Sequence, residues 1–296
     1  MSSINILKKL ESEAISIIRD SYSKSHNPVM MYSIGKDSSV LLHLARKAFF
    51  PSQIPFPLLH IDTQWKFKEM IRFRNHLKKK LKLKIIVYTK KEGKKLHPQR
   101  DKNYTDVVKT KALKEALDKY QFDVIYGGAR RDEEASRSKE KIVSHRSIDN
   151  RWDPKSQSIE PWLLFNTHKE KDESFRVFPI SNWTELNIWE YIYREEINIV
   201  PLYFAKKRKV VVSNNQIFLL DDKRFKFRET DEIKYLSVRF RTLGCYPLTS
   251  GIESNAKNIK EIIKEIKKSD FSERSGRLID YDKLGSMELK KRQGYF

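Results

Sequence analysis

The chain has 296 residues, 39% hydrophobic content and few glycines or prolines, enough to bury a core in one large domain or two small ones. No apolar stretch approaches the length of a membrane span, and a single cysteine, Cys245, excludes an internal disulfide and a paired-cysteine zinc site, so a reducing cytoplasm is the expected compartment. The formal charge of +21 invites a nucleic-acid partner, yet the lysines are spread along runs such as Lys78-Lys79-Lys80 and Lys206-Lys207-Arg208-Lys209; solvated faces are expected, with no nucleic acid bound.

Met1 to Asp20 mixes charged residues among Ile6, Leu7, Leu10, Ala14, Ile17 and Ile18, which predicts an amphipathic helix rather than a signal peptide and sets off residues 1–27. Val29 to Tyr32 reads as a strand, and Val40 to Ala45 as the helix after it. Between them Ser33-Ile34-Gly35-Lys36-Asp37-Ser38-Ser39 forms a short loop of phosphate size. Gly35 allows close backbone approach, the serine hydroxyls can donate to oxyanions, and amides point outward where a helix begins. A polar turn without a ligand is the bland alternative. The spacing G-x-x-x-x-G-K-[ST] is absent from the whole chain, so a Walker A loop is excluded.

Further strands are expected at Pro57–Ile61, Lys84–Tyr88, Phe122–Tyr126 and Arg176–Ile180, with helices at Lys66–Leu81, Asp106–Lys119 capped by Thr105, and Trp183–Glu195 with Thr184 near its start. This alternation predicts an α/β fold with a mostly parallel sheet and helices on both faces, over a core at 28–248. Val210-Val211-Val212 and Ile217 to Leu220 flank Ser213-Asn214-Asn215-Gln216, a hairpin signature. Residues 249–296 read as an extension, a helix at Asn258–Lys268 and a polar tail.

Ligands of such a sheet gather at the carboxyl ends of the strands. Asp62 and Thr63 end the second strand; Asp62 either holds adenosine, or magnesium through water, or caps the helix that follows at Trp65. Gly127-Gly128-Ala129-Arg130-Arg131-Asp132-Glu133-Glu134 ends the fourth, pairing glycines for close approach with guanidinium forks that match oxyanions. Arg239 and Arg241 fall on one face if extended, as a second anion site or as surface arginines on an edge strand. Cys245 reads as a small buried residue. The histidines show no metal-ligand spacing and read as structural or exposed, no metal ligand is assigned, and Trp183, Trp189, Tyr191 and Ile192 read as core.

Taken with His60-Ile61-Asp62-Thr63, Trp65-Lys66-Phe67, Arg151-Trp152-Asp153-Pro154, Phe178 to Glu185, Arg239 to Cys245 and the ending Lys290 to Phe296, the loop Ser33–Ser39 makes the chain resemble, nearly end to end, the small subunits of bacterial heterodimeric sulfate adenylyltransferases. These belong with the PAPS reductases in the PP-loop family, of adenine nucleotide alpha hydrolase type. The resemblance implies adenylyl transfer from ATP to sulfate in cytoplasmic sulfate assimilation, with Mg2+ and with GTP on a separate GTPase subunit. By motif, Ser33, Gly35, Lys36, Asp37, Ser38 and Ser39 would hold the phosphates, with Asp62, Thr63, Gly127 and Gly128 near the nucleotide. Lys36, Arg130 and Arg131 would act in catalysis. Gln64 stands where the resemblance leads one to expect glycine. A PAPS or adenylyl-sulfate reductase is the nearest rival, but the C-terminal tail lacks the cysteine it uses; an RNA-thiolating PP-loop enzyme would need a cysteine pair.

Overall fold

A computed structural model describes residues 3–133, 135–147, 150–153, 157 and 173–269. The polar tail from 270 on, Met1, Ser2, Glu134, Pro154 and His168 lie outside the described residues.

The first helix, α1 (Ser3–Ser23), leads into β1 (Pro28–Met31), α2 (Lys36–Phe49), β2 (Leu58–Ile61), α3 (Lys68–Lys80) and β3 (Ile85–Tyr88). A π-helical turn, Asp106–Lys111, runs into α4 (Ala112–Tyr120), followed by β4 (Val124–Tyr126), α5 (Ala135–Ser138), β5 (Val143–Arg146), β6 (Ser174–Val177) and α6 (Glu185–Arg194). The chain then forms β7 (Lys206–Ser213), β8 (Gln216–Leu219), β9 (Glu232–Arg239), β10 (Ile252–Glu253) and α7 (Ile259–Lys267).

The main sheet has the order β3-β2-β1-β4-β6-β5, parallel throughout except for the antiparallel edge strand β5. Its strands alternate between two cores. Met30, Leu58, Val124 and Tyr126 face α1 and α2, whereas Val29, Leu59 and Ile125 face Leu113, Ala116 and Leu117 of α4. Both faces are therefore covered, and the central strands read as continuous apolar runs because neither face meets water. Chain order reverses at β1: the strands run outward through β2 to β3, then return to β4 on the other side of β1. That reversal opens a crevice at the carboxyl ends of β1 and β4.

Several local expectations change. The strand expected at Arg176–Ile180 ends at Val177, with Pro179 and Ile180 in a turn, since a proline cannot donate to the ladder. Thr105 does not cap: it is already helical (φ −65°, ψ −34°) and its side chain makes no capping bond. Thr184 does cap, in a box with Asn187. The hairpin forms as expected, but it belongs to a four-stranded antiparallel sheet, β10-β9-β7-β8, that continues past residue 248. No helix among the described residues is long and apolar enough to cross a membrane.

Candidate functional site

A cleft of about 230 Å³ opens at the carboxyl ends of β1, β2 and β4. It is lined by Ser33, Gly35, Asp37 and Ser38 of the loop, by His60, Ile61 and Thr63 after β2, by Gly128, Ala129, Glu133 and Arg137 after β4, and by Lys66, Lys109, Leu113, Tyr203 and Thr242–Gly244.

The loop is built by hydroxyls folding back on its own backbone. Ser38 Oγ and Ser39 Oγ both donate to the Gly35 carbonyl, at 3.0 and 2.9 Å, and Ser33 Oγ donates to Ser38 Oγ at 3.2 Å. These bonds fix the first turn of α2, whose leading amides have no partner within the helix and carry its positive dipole end. Gly35 has φ −79°, which any residue adopts; the left-handed conformation falls on the preceding Ile34 (φ 69°), fully buried and β-branched. A branched residue in that region is strained, and such strain persists only where its surroundings enforce it. Crowding explains the glycine instead: a Cβ on Gly35 would meet Ser33 Oγ at 3.3 Å and the Tyr203 hydroxyl at 3.6 Å. That hydroxyl accepts the Lys36 amide at 2.8 Å.

Gly128 brings the end of β4 against this turn. A Cβ there would lie 3.3 Å from the Asp37 carbonyl carbon and the Ser38 nitrogen, both backbone atoms. Gly127 is turned the other way, its amide bonded to the Val177 carbonyl at 2.8 Å.

The ion pairs are centred on Asp37. Its Oδ2 meets Lys36 Nζ at 3.1 Å and its Oδ1 accepts from Arg130 Nε at 2.7 Å. Burial alone would raise the Asp37 carboxyl, but Lys36 and Arg130 bring it down to about 2. Arg130 also reaches Asp132, whose carboxylate accepts the Glu185 amide at the start of α6. Lys36 and Arg130 are thus both 1% exposed and sit behind the cleft rather than on its lining.

Other expected residues divide in the same way. Thr63 lines the cleft; Asp62 does not, because its carboxylate accepts the Gln64 amide and stabilises a turn in which Gln64 has φ 63°. Ser39 is absent from the lining, although its hydroxyl makes the same bond to Gly35 as that of Ser38, which lines the cleft. Arg131 donates to Asn182 and to the Glu140 carbonyl, away from the lining. The pair Arg239 and Arg241 is engaged by carboxylates: Arg239 meets Glu265 of α7 at 2.7 Å, and Arg241 holds Glu185 of α6 with two nitrogens. They fasten helices to the second sheet, and neither lines the cleft.

Sequence reasoning missed His60, Lys66, Lys109, Arg137 and Tyr203. His60 is 1% exposed, with Nδ1 2.8 Å from the Tyr32 carbonyl. Burial, reinforced by Lys66, lowers its pKa to about 3, so it is neutral and donates from Nδ1. Lys66 carried a signal in lying three residues past the strand-end Thr63. Lys109 and Tyr203 carried none, since the first is aimed by a π turn and the second lies 167 residues from the Lys36 amide it meets.

A family profile for the phosphoadenosine phosphosulfate reductase domain matches residues 27–251. Sulfate adenylyltransferase subunit 2 of Aeromonas hydrophila is 57% identical over 98% of this chain and 97% of its own, and that of Acinetobacter baumannii (strain AYE) 54% identical over 100% and 98%. Among solved structures, Candida glabrata FMN adenylyltransferase in complex with FMN and the ATP analogue AMPCPP superposes with a TM-score of 0.52 at 15% identity, covering 93% of this chain and 89% of that one, a likeness of fold. With a phosphate-sized loop at the switch point, a full-length match above half identity and this domain profile, the chain belongs to the sulfate adenylyltransferase subunit 2 family, within the phosphoadenosine phosphosulfate reductase domain family.

Proposed function

We propose that the cleft binds ATP with its phosphates on the Ser33–Ser38 turn and passes the adenylyl group to sulfate, giving adenylyl sulfate and pyrophosphate. Family membership makes the chain a nucleotidyltransferase subunit of sulfate assimilation. The observation that carries the residue-level reading is the contact of Gly128 with the Asp37–Ser38 backbone, which closes the cleft around the amino end of α2.

A sulfate oxygen attacks the α-phosphorus in line; the new phosphorus–oxygen bond forms as the bond to the bridging β-phosphate oxygen breaks, and pyrophosphate leaves with the electron pair. Sulfate is already an anion, so no protein base is needed. Positioning and charge neutralisation do the work. The helix amides take phosphate oxygens, and Ser33 and Ser38 join them by rotating their hydroxyl protons from the loop toward the ligand. Lys36 and Arg130 act through Asp37, holding it so that the turn keeps its shape.

Magnesium takes one or two carboxylates beside substrate phosphates, and among the described residues Asp37 and Glu133 are the carboxylates on the lining that would hold it, Asp37 through the lone pairs that Lys36 and Arg130 leave open. When bound it would neutralise phosphate charge.

The name subunit 2 borne by the relatives implies a second subunit. A mixed phosphoric–sulfuric anhydride lies uphill of ATP and sulfate, so we assign that subunit GTPase activity, with GTP bound there and both chains in the cytoplasm. The second sheet is the docking face we favour: Phe227, Ile233 and Tyr235 are more than half exposed on or beside β9.

The test is pyrophosphate release from ATP and magnesium by this chain with its partner, with and without sulfate or molybdate. Oxyanion-dependent release is expected, and Lys36→Ala should lower it by orders of magnitude with the fold intact. Release that ignores the oxyanion would remove the reading.

A further inference from the structure

The proposed reaction brings two anions into one cleft. The triphosphate is provided for by the turn after β1, yet the arginines expected to hold sulfate are committed elsewhere: Arg239 to Glu265, Arg241 to Glu185, Arg131 to Asn182 and Arg130 to Asp37. Among the described residues, the cations on the cleft lining are Lys66, Lys109 and Arg137.

Lys66 and Lys109 come from different elements and line the same cleft. Lys66 follows the turn after β2, and Lys109 projects from the π-helical turn, a geometry that departs from the regular i to i+4 ladder and recurs at functional sites. Thr63, on the same lining, is held in place from behind. Cys245 Sγ donates to Thr63 Oγ1 at 3.5 Å, and the Thr63 carbonyl accepts the Tyr104 hydroxyl at 2.8 Å. Cys245 is fully buried, which pushes its thiol up, yet Lys109 and Lys66 outweigh that and hold it below its ordinary value. That thiol stands directly behind Thr63. Lys66 is felt equally at His60, on the same lining. Cations lining a partly dry cleft draw an anion into it.

Resting on the function proposed above, we infer that Lys66 and Lys109 form the seat of the acceptor sulfate, on the side of the cleft lined by Thr63. Sulfate and the phosphates of ATP share tetrahedral oxyanion chemistry. The phosphates already have the amino end of α2, and the two lysines come from other elements, which favours sulfate here. Ammonium groups suit the role because they are compact donors that can follow a small, symmetric anion.

The test uses Lys66→Met and Lys109→Met, with Lys66→Gln and Lys109→Gln beside them, in the full chain with its partner and with melting curves to confirm folding. Initial rates of pyrophosphate release are measured over ranges of sulfate and of ATP. The expected result is a KM for sulfate raised roughly tenfold or more, as loss of a charged hydrogen bond implies, with the KM for ATP within about twofold. A raised KM for ATP with sulfate unaffected would assign the lysines to the phosphates and overturn the inference, as would no change in either. Equilibrium binding of labelled sulfate in the presence of AMPCPP separates the two readings. Binding to the wild type that is lost in the variants, without turnover in the wild type, would keep the seat and discard the reaction; binding retained by the variants would discard the seat.

Discussion

Arg130 Nε donates to Asp37 Oδ1 across 93 residues of sequence, and this 2.7 Å bond joins the loop after β4 to the first turn of α2. The arginine side chain is fully buried, so its charge is tolerated because Asp37 and Asp132 face it. Removing one member of a buried pair leaves the other desolvated, which costs about 3–5 kcal/mol. Arg130→Ala should lower stability by less than that, about 1–2 kcal/mol, because the carboxylates left behind reach solvent, Asp37 at 22% and Asp132 at 48% exposed, and Asp37 keeps Lys36. It should also cut turnover strongly. Urea unfolding checks the first part; a midpoint unchanged from the wild type would show that the two loops are not coupled through this pair.

Gly128 is the complementary contact, of shape rather than charge. Its neighbours are backbone atoms at 3.3 Å, so a methyl group cannot be accommodated by rotating a side chain. Gly128→Ala should push the α2 turn away by a few tenths of an ångström and reduce kcat/KM for ATP by on the order of tenfold to a hundredfold, with little change in melting temperature. Normal kinetics in this variant would place the phosphates elsewhere.

What could be read beforehand follows from where the information is held. The loop, the strand ends, the Thr184 cap and the Asn214–Asn215 turn are local, and the two asparagines indeed adopt φ 47° and 59°, as a tight hairpin requires. The edge strand β5 was invisible because Val143-Ser144-His145-Arg146 has no apolar run; Arg146 is buried against Glu140, a partner that no periodicity reveals. The first four residues of β9 are exposed, so they lack the alternation that marks a half-buried strand. Arg130, Arg131, Arg239 and Arg241 are held by partners off the lining, whereas Lys66, Lys109 and Arg137 lie on it, because long-range packing decides where each cation is placed.

Gln64 tests a single backbone torsion. It holds φ 63°, and its side-chain amide donates to the Lys90 carbonyl at 3.0 Å. A left-handed conformation costs a residue with a Cβ about 1 kcal/mol, and one hydrogen bond returns about the same. Gln64→Gly should thus be near neutral, whereas Gln64→Ala keeps the strain, loses the bond and should destabilise by about 1 kcal/mol. Equal melting temperatures for the two variants would show that the torsion is unstrained.

His60 gives the chain a pH dependence whose sign can be worked out. Its folded pKa, about 3, lies below the ordinary 6.5, so the unfolded state binds the proton more tightly. The stability it contributes is complete above about pH 6.5 and is lost as pH falls from there toward 3. Between pH 7 and pH 5 the loss attributable to this one group is about 2 kcal/mol. His60→Gln does not titrate and should flatten that part of the stability curve, whatever it costs at neutral pH. Asp37, held near 2, begins to matter only below its ordinary 3.8 and does not interfere in this window. Denaturant unfolding of both proteins at pH 7 and pH 5 provides the comparison. If both lose the same stability between those values, His60 takes up its proton in the folded state as readily as in the unfolded one, and the imidazole is not the dry, neutral group that the cleft wall requires.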